Sequence, residues 1–165
     1  GIRVSRLNRK KLPSNNINNY PDTHYSGIRQ MRKNNTDRDE VVHILRGLKS
    51  DDWMKRQEAV SGIGHIKNPG LLTDLIGHLP KEKWYIREMV AAGIRSINNP
   101  DLAVSLKHGL VSGDASIRNA CARALGVMKC TEAEDLLKNA VEDPDSRVRK
   151  TARTSLELLH ERNRP

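Results

Sequence analysis

Histidines and carboxylates are the residues of this sequence that could perform metal or acid–base chemistry, and their spacing argues against both. A single adjacent His-Glu pair, His160-Glu161, cannot assemble a di-metal site. The other histidines never stand three or four residues apart, the spacing that would let two of them share a helix face as metal ligands. They are His24, His43, His65, His78 and His108. Glycine-rich phosphate loops, G-x-S-x-G elbows and clustered acid pairs are also missing. The sequence predicts no metal, no cofactor and no catalytic residue.

Two tryptophans are better candidates for a binding function, and their spacing is regular. Trp53 stands three residues before Arg56, and Trp84 stands three residues before Arg87, 31 residues further on. Large amphipathic rings are enriched at the centres of protein interfaces. Under the alternative interpretation, each indole covers the seam between two structural repeats and packs on a neighbour such as Pro80 or Met54. The sequence leaves both interpretations open.

The same interval of 31 residues continues along the chain and predicts the elements that hold the tryptophans. Arginines recur at positions 56, 87, 118 and 149, and apolar or small residues follow each of them by three, six, seven and ten places. This pattern marks one face of an α-helix. A second helix follows in each copy, with leucines at positions such as 71, 75 and 79. A short period of paired antiparallel helices predicts an all-α solenoid.

The segment "EDPDSRVRKTARTSL" resembles the short HEAT repeats typified by phycobilin lyases, with acid, Pro, acid, apolar and Arg in that order. The resemblance covers about residues 37–162. It implies a right-handed α-solenoid of HEAT/ARM type, with helix pairs centred on Arg56, Arg87, Arg118 and Arg149. It also implies a ladder of acids and arginines that sets the stacking of the repeats. The expected ladder comprises Asp52, Arg56, Arg87, Asp114, Arg118, Asp145 and Arg149. Lys83 replaces the acid in the Trp84 copy, so the ladder is expected to be interrupted there or to use Glu82.

The positive charge of the chain is concentrated before the repeats. Of the net charge of +9, residues 1–36 carry eight Lys or Arg against one Asp, and residues 37–165 carry 21 against 19 acids. We therefore expect residues 1–36 to form a basic, Asn-rich arm largely without regular structure. The arm would be either a solvated linker or an attachment to RNA, acidic tubulin tails or anionic lipid. The nearly neutral repeats make nucleic acid an improbable partner except through the arm. Its basic residues are Arg3, Arg6, Arg9, Lys10 and Lys11.

The two ends of the array carry expectations of their own. Asp37 and Glu40 are spaced as a capping box, which predicts that the first helix of the array begins there. At the other end, the helix that carries Arg149 would expose a side that normally receives a partner helix. Leu158 and neighbouring apolar groups are therefore expected either to dock another molecule or to mark a truncated boundary.

Cysteine usage and hydropathy predict a cytoplasmic protein. Cys121 and Cys130 fall nine residues apart in one predicted helix, about 13 Å along its axis, which is too far for a disulfide. A reducing, intracellular compartment is therefore expected, with the cytoskeleton or the cilium as alternatives. No apolar run reaches about 18 residues, so no membrane span is predicted.

These patterns predict a non-catalytic scaffold that binds protein partners through its HEAT repeats. The expected contact residues are Trp53, Trp84, Lys55, Lys83, Lys107 and Lys138, the last two as exposed positions of second helices. One alternative is a tubulin-binding or microtubule-binding module, because "SDDWMKRQEAV" resembles the opening helix of TOG domains. A second alternative is an accessory of an enzyme of the phycobilin-lyase kind.

Overall fold

The computed structural model describes the backbone of residues 22–161 and the side chains of residues 35–161. Within that range the chain forms eight α-helices and no strand. They are α1 (Asp22–Leu48), α2 (Trp53–Gly64), α3 (Pro69–His78), α4 (Trp84–Ile94), α5 (Ala103–Leu110), α6 (Ala115–Val127), α7 (Glu134–Ala140) and α8 (Ser146–His160). Short 3-10 turns at Leu79–Lys81, Pro100–Leu102 and Thr131–Ala133 follow α3 and precede α5 and α7. The predicted all-α solenoid is confirmed.

The helices stack in two layers. The first helices of the repeats, α2, α4, α6 and α8, pack on one another in chain order, and so do the second helices, α1, α3, α5 and α7. We call the contact between the repeats α2/α3 and α4/α5 junction 1. Junction 2 joins α4/α5 to α6/α7, and junction 3 joins α6/α7 to α8.

Local sequence signals start the second helices as predicted. Pro69 is the first residue of α3, where its missing N–H and fixed φ angle suit a helix start. Asn68 caps this helix by accepting a hydrogen bond from the Gly70 N–H at 2.9 Å. Asn99 and Pro100 repeat this arrangement before α5. The connections within and between the repeats are therefore short, and each helix has neighbours on which to bury its apolar face.

The core follows the repeated columns of the sequence. Seven places after the arginine of their repeat, Ile63, Ile94 and Leu125 are completely buried, and the second helices contribute Leu75, Leu106 and Leu137. Small residues let the first helices approach closely. A Cβ added at Gly93 would lie 2.6 Å from Cβ of Ile63 on the neighbouring helix, whereas one added at Gly62 would meet nothing within 4 Å. None of the helices within residues 22–161 combines the length and apolar character that a membrane span requires.

Helix α1 begins earlier than the sequence predicts. Its helical backbone starts at Asp22, so the expectation of an arm without regular structure is wrong for residues 22–36. Once packed turns have nucleated a helix, it extends at little cost through good helix formers, and "RQMRK" at positions 29–33 supplies several. The arm residues Arg3, Arg6, Arg9, Lys10 and Lys11 lie outside the described residues.

The predicted capping box of Asp37 and Glu40 is also wrong, because both residues lie inside α1. Asp37 is 5% exposed, and its carboxylate accepts a hydrogen bond from the Asn68 side chain at 2.6 Å. Asp37 therefore ties the second helix α1 to the start of the next second helix, α3. A carboxylate aimed at a neighbouring repeat produces the same acidic signal in the sequence as a cap.

Helix α8 does not present the apolar outer surface expected of it. Leu158 is only half-exposed, while Val148, Ala152 and Leu159 are buried against the preceding repeat. The side turned away carries polar residues. Arg153 and Glu157 are exposed at the positions where α2 has Val60 and Gly64. The outer face of α8 is therefore polar, where the corresponding positions of α2 are apolar or glycine.

Candidate functional site

The two tryptophans lie on one edge of the stack. Trp53 is the first residue of α2, and Trp84 is the first residue of the adjacent helix α4. The exposed fractions of these two residues are 60% and 70%, and Met54 and Tyr85 beside them are 59% and 40% exposed. The rings of Trp84 and Tyr85 meet edge to face with centroids 6.1 Å apart. We call these four residues the tryptophan edge. Because so much of each residue is exposed, most of both indoles is accessible to an external contact. The alternative interpretation, in which each indole covers the seam between two repeats, fits this exposure less well.

This exposure leads to a spectroscopic prediction. Because Trp53 and Trp84 are the only tryptophans of the chain, intrinsic tryptophan fluorescence reports on this edge alone. We expect an emission maximum close to that of free tryptophan in water, and efficient quenching by both iodide and acrylamide. Trp53→Phe and Trp84→Phe, measured separately, should each leave one water-exposed indole. A blue-shifted, poorly quenched emission would contradict the exposed arrangement.

The predicted lysines divide into two groups. Lys55 and Lys83 are exposed within the segments that bear the tryptophans, and neither makes an ion pair among the described residues. Lys107 and Lys138 lie on the second helices α5 and α7. The expectation of an exposed Lys107 is wrong, because that residue is half-buried. Lys138 is exposed but pairs with Glu134, from Nζ to Oε1, at 2.9 Å. The structure therefore places two of the predicted lysines, Lys55 and Lys83, beside the tryptophans. The other two, Lys107 and Lys138, lie on the second helices and are not part of this group.

The recurring arginines hold the loop that precedes each first helix. In every copy the Nη1 atom donates a hydrogen bond to a backbone carbonyl five or six residues earlier, at 2.6–3.0 Å. The pairs are Arg56 with Ser50 and Asp51, Arg87 with Glu82, Arg118 with Ser112, and Arg149 with Asp143 and Pro144. This repeated bond explains why arginine is the most regular residue of the sequence.

Carboxylates complete the ladder across two of the junctions. At junction 3, Arg118 donates to both carboxylate oxygens of Asp143, from Nε at 2.7 Å and from Nη2 at 2.9 Å. At junction 2, Arg87 makes one such bond, from Nε to Asp114 at 2.6 Å. The hydrogen bonds with Arg118 lower the pKa of the Asp143 carboxyl, and the pKa of Arg118 is raised mainly by the same bonds. The ladder therefore links successive repeats, and not an acid and an arginine of the same helix.

Asp52, Asp114 and Asp145 each stand four residues before an arginine, a spacing that allows pairs within a repeat or across to the next. Among these acids and the recurring arginines, only the pair Arg87–Asp114 across junction 2 is observed. All three acids, Asp52, Asp114 and Asp145, cap the helices that follow, by accepting bonds from backbone N–H groups two or three residues ahead. Asp145 also pairs with Arg147, and this bond is the main cause that lowers the pKa of Asp145 to about 2. Asp143 was missed by the sequence prediction. The signal that could have found it is its position 25 residues after Arg118, beside Pro144.

At junction 1 the ladder lacks a carboxylate. The positions 25 and 27 residues after Arg56 are Lys81 and Lys83, both exposed. Lys83 also precedes α4 at the capping position without making a side-chain bond. The Glu82 side chain, which could have substituted, pairs with Lys49 at 2.8 Å instead. The interruption expected from Lys83 therefore coincides with the tryptophan edge.

A cavity, two thiols and the arrangement of possible metal ligands are the features of the described residues that bear on catalysis. A cavity of about 350 Å³ lies between the end of α3 and the start of α6 and is lined mainly by Ile76, Leu79, Pro80 and Ile117, with the Arg87–Asp114 pair as its charged groups. Burial raises the pKa of Cys121 to about 12 and is the main cause that raises the pKa of Cys130, so both thiols are protonated at neutral pH. Residues 35–161 contain no group of three or more His, Cys, Asp or Glu arranged to hold a metal ion.

Comparison with known proteins agrees with this architecture. The family model described as HEAT repeats matches the chain twice, over residues 41–125 and 105–162. No curated protein gives a match. The family match is to HEAT repeats in general and does not specify a lyase or a TOG domain. Together, the two matches span most of the sequence and both layers of the stack. The chain belongs to the HEAT-repeat family.

Proposed function

We propose that this protein is a non-catalytic scaffold that binds another protein through its tryptophan edge. Arrays of HEAT repeats generally serve as scaffolds for protein interaction. The observation that carries the proposal is the pair of indoles at the starts of α2 and α4, exposed by 60% and 70%. Exposing so much aromatic surface is unfavourable in water unless a partner covers it.

The surroundings of the indoles support a protein partner. Met54 and Tyr85 extend the apolar surface, and Lys55 and Lys83 supply charges at its rim. An apolar centre with a polar rim is the usual anatomy of a protein interface, and Trp and Tyr are among its most enriched residues. Each indole is carried by the first residue of a helix, so the backbone that bears it is ordered before binding, which reduces the entropy lost on association.

The test is affinity capture from the source cell with quantitative mass spectrometry. The protein is compared with the double variant Trp53→Ala/Trp84→Ala. The matched control is Val104→Ala/Val127→Ala, which removes two other exposed apolar side chains, 70% and 47% exposed, from different helices. We expect one or more proteins that are captured by the wild type and the control and lost with the double tryptophan variant.

Binding of the captured protein is then measured with purified components. Because interface tryptophans commonly contribute about 2 kcal/mol or more, each Trp→Ala variant should weaken binding about 30-fold. Tubulin among the captured proteins would support the function implied by the TOG resemblance. Capture that is equal for the tryptophan variant and the control would refute the proposed edge.

A further inference from the structure

The ladder shows how this fold uses an arginine at a junction. At junctions 2 and 3 the arginine binds the loop carbonyl through Nη1 and binds a carboxylate of the next repeat through Nε. The carboxylate stands 27 residues after the arginine in Arg87–Asp114 and 25 residues after it in Arg118–Asp143. Each guanidinium is therefore neutralised across the junction by an acid of this chain.

Junction 1 has the same arginine but no acid. Arg56 donates to the carbonyls of Ser50 and Asp51 at 2.7 and 2.9 Å, as its counterparts do. Both positions that hold the acid at the other junctions are lysines, Lys81 and Lys83. Within residues 35–161, no ion pair includes Arg56 or either lysine. Junction 1 therefore has cationic side chains both at the arginine position and at the two positions where the other junctions have the acid.

Two of the nearby acids of this chain already have partners. Asp52 caps α2 through the Met54 N–H at 2.8 Å, and Glu82 pairs with Lys49. Asp51 and Glu58 are exposed, and within residues 35–161 neither of them forms an ion pair. Beside the Lys49–Glu82 pair, the cations Lys55, Arg56, Lys81 and Lys83 outnumber the acids Asp51, Asp52 and Glu58 by one. Junction 1 therefore carries an excess of positive charge beside the tryptophan edge.

We propose that junction 1 binds a carboxylate from an acidic segment of a partner protein, which takes the place of the missing ladder acid. The segment would place an Asp or Glu side chain against Arg56 and Lys83, and its apolar neighbours against the indoles of Trp53 and Trp84. A carboxylate fits because the equivalent guanidinium of Arg118 donates two hydrogen bonds to one, from Nε and from Nη2. This inference rests on the proposed function, since it identifies the chemistry of the partner that the tryptophan edge contacts.

The decisive variant is Lys83→Asp, which restores the acid in its column. Asp occupies this position before α2, α6 and α8 and caps each helix there, so the variant is expected to fold. Its carboxylate would pair with Arg56 as Asp114 pairs with Arg87, and would thereby compete with the partner. The matched control is Lys67→Asp, which makes the same charge change at an exposed residue beyond the other end of α2. Thermal unfolding of both variants confirms that they are folded.

Binding is measured by fluorescence anisotropy with three labelled probes. They are a short peptide of glutamates and two leucines, the same peptide with glutamine for every glutamate, and an oligouridylate of equal charge. We expect the glutamate peptide to bind most tightly. Lys83→Asp should weaken its binding at least about tenfold, the equivalent of one charge-assisted hydrogen bond, and Lys67→Asp less than about twofold.

Three results would overturn the inference. They are equal binding of the glutamate and glutamine peptides, equal weakening by both lysine variants, and tighter binding of the oligouridylate. The proposed function is tested separately by the captured partner. A partner lost with Trp53→Ala/Trp84→Ala but retained by Lys83→Asp would refute the carboxylate site alone. A partner retained by both would refute the edge as well.

Discussion

Gly93→Ala should destabilise the protein by about 2 kcal/mol. The added Cβ would lie 2.6 Å from Cβ of Ile63 and 2.8 Å from the carbonyl oxygen of Val60 on α2. Because a backbone atom cannot rotate away, the overpacking should cost about 3 kcal/mol, the upper end of its usual range. The better helix propensity of alanine offsets about 1 kcal/mol of that cost. Helices α2 and α4 must move apart to accept the variant, so the loss reports on the contact at junction 1.

Gly62→Ala is the matched control, because Gly62 occupies the same column of the preceding repeat. A Cβ there meets nothing within 4 Å, so only the propensity gain remains, and we expect a stabilisation of about 1 kcal/mol. Urea unfolding followed by circular dichroism gives both free energies. Equal effects of the two substitutions would show that α2 and α4 are not packed as described.

Asp143→Asn should destabilise the protein by about 2 to 3 kcal/mol at neutral pH. The Asp143 side chain is 8% exposed and that of Arg118 is 14% exposed, so water can replace the lost bonds only in part. Hydrogen bonds to charged groups are among the stronger ones, and removing one partner leaves the other charge poorly solvated. The control is Asp51→Asn, which makes the same chemical change at an exposed residue outside the ladder. We expect less than about 0.5 kcal/mol for the control.

The pH dependence of this effect has a defined sign. Arg118 lowers the pKa of Asp143 in the folded state, so the pair contributes its full stability above the unfolded pKa of about 4. That contribution is lost as the pH falls through the lower, folded pKa. The difference between the wild type and Asp143→Asn should therefore shrink when urea unfolding is repeated at progressively lower pH below about 4. A difference that is independent of pH would contradict an ionised pair.

Periodicity made the stacked repeats predictable, because a column such as Ile63, Ile94 and Leu125 must be buried in every copy. The start of α1 was not predictable in the same way. Residues 22–36 have no apolar period, and their helix follows from continuation of packed turns, which a search for buried faces does not detect. Asp37 shows a related difficulty, since a capping acid and an acid that reaches a neighbouring helix look alike in sequence.

The candidate site was predictable in its position and less so in its partners. The interval between Trp53 and Trp84 placed both indoles at the starts of adjacent first helices, where they are observed. Which acid meets which arginine depends on the geometry of the stack. Asp114 and Asp145 both cap a helix, but only Asp114 also pairs with the arginine of the preceding repeat. The side chain of Asp145 pairs with Arg147, and Arg118 meets Asp143. Sequence distance alone could not distinguish the two acids.

The number of ladder bonds differs between the junctions, and this difference bears on how easily the stack of repeats bends. Junction 3 is fastened by two bonds between Arg118 and Asp143, junction 2 by one between Arg87 and Asp114, and junction 1 by none of this kind. We therefore expect resistance to bending to rise from α2 toward α8. Thermal bending should be largest at junction 1. Because Trp53 and Trp84 lie on either side of this junction, a molecule that binds both indoles would also fix the curvature of the array.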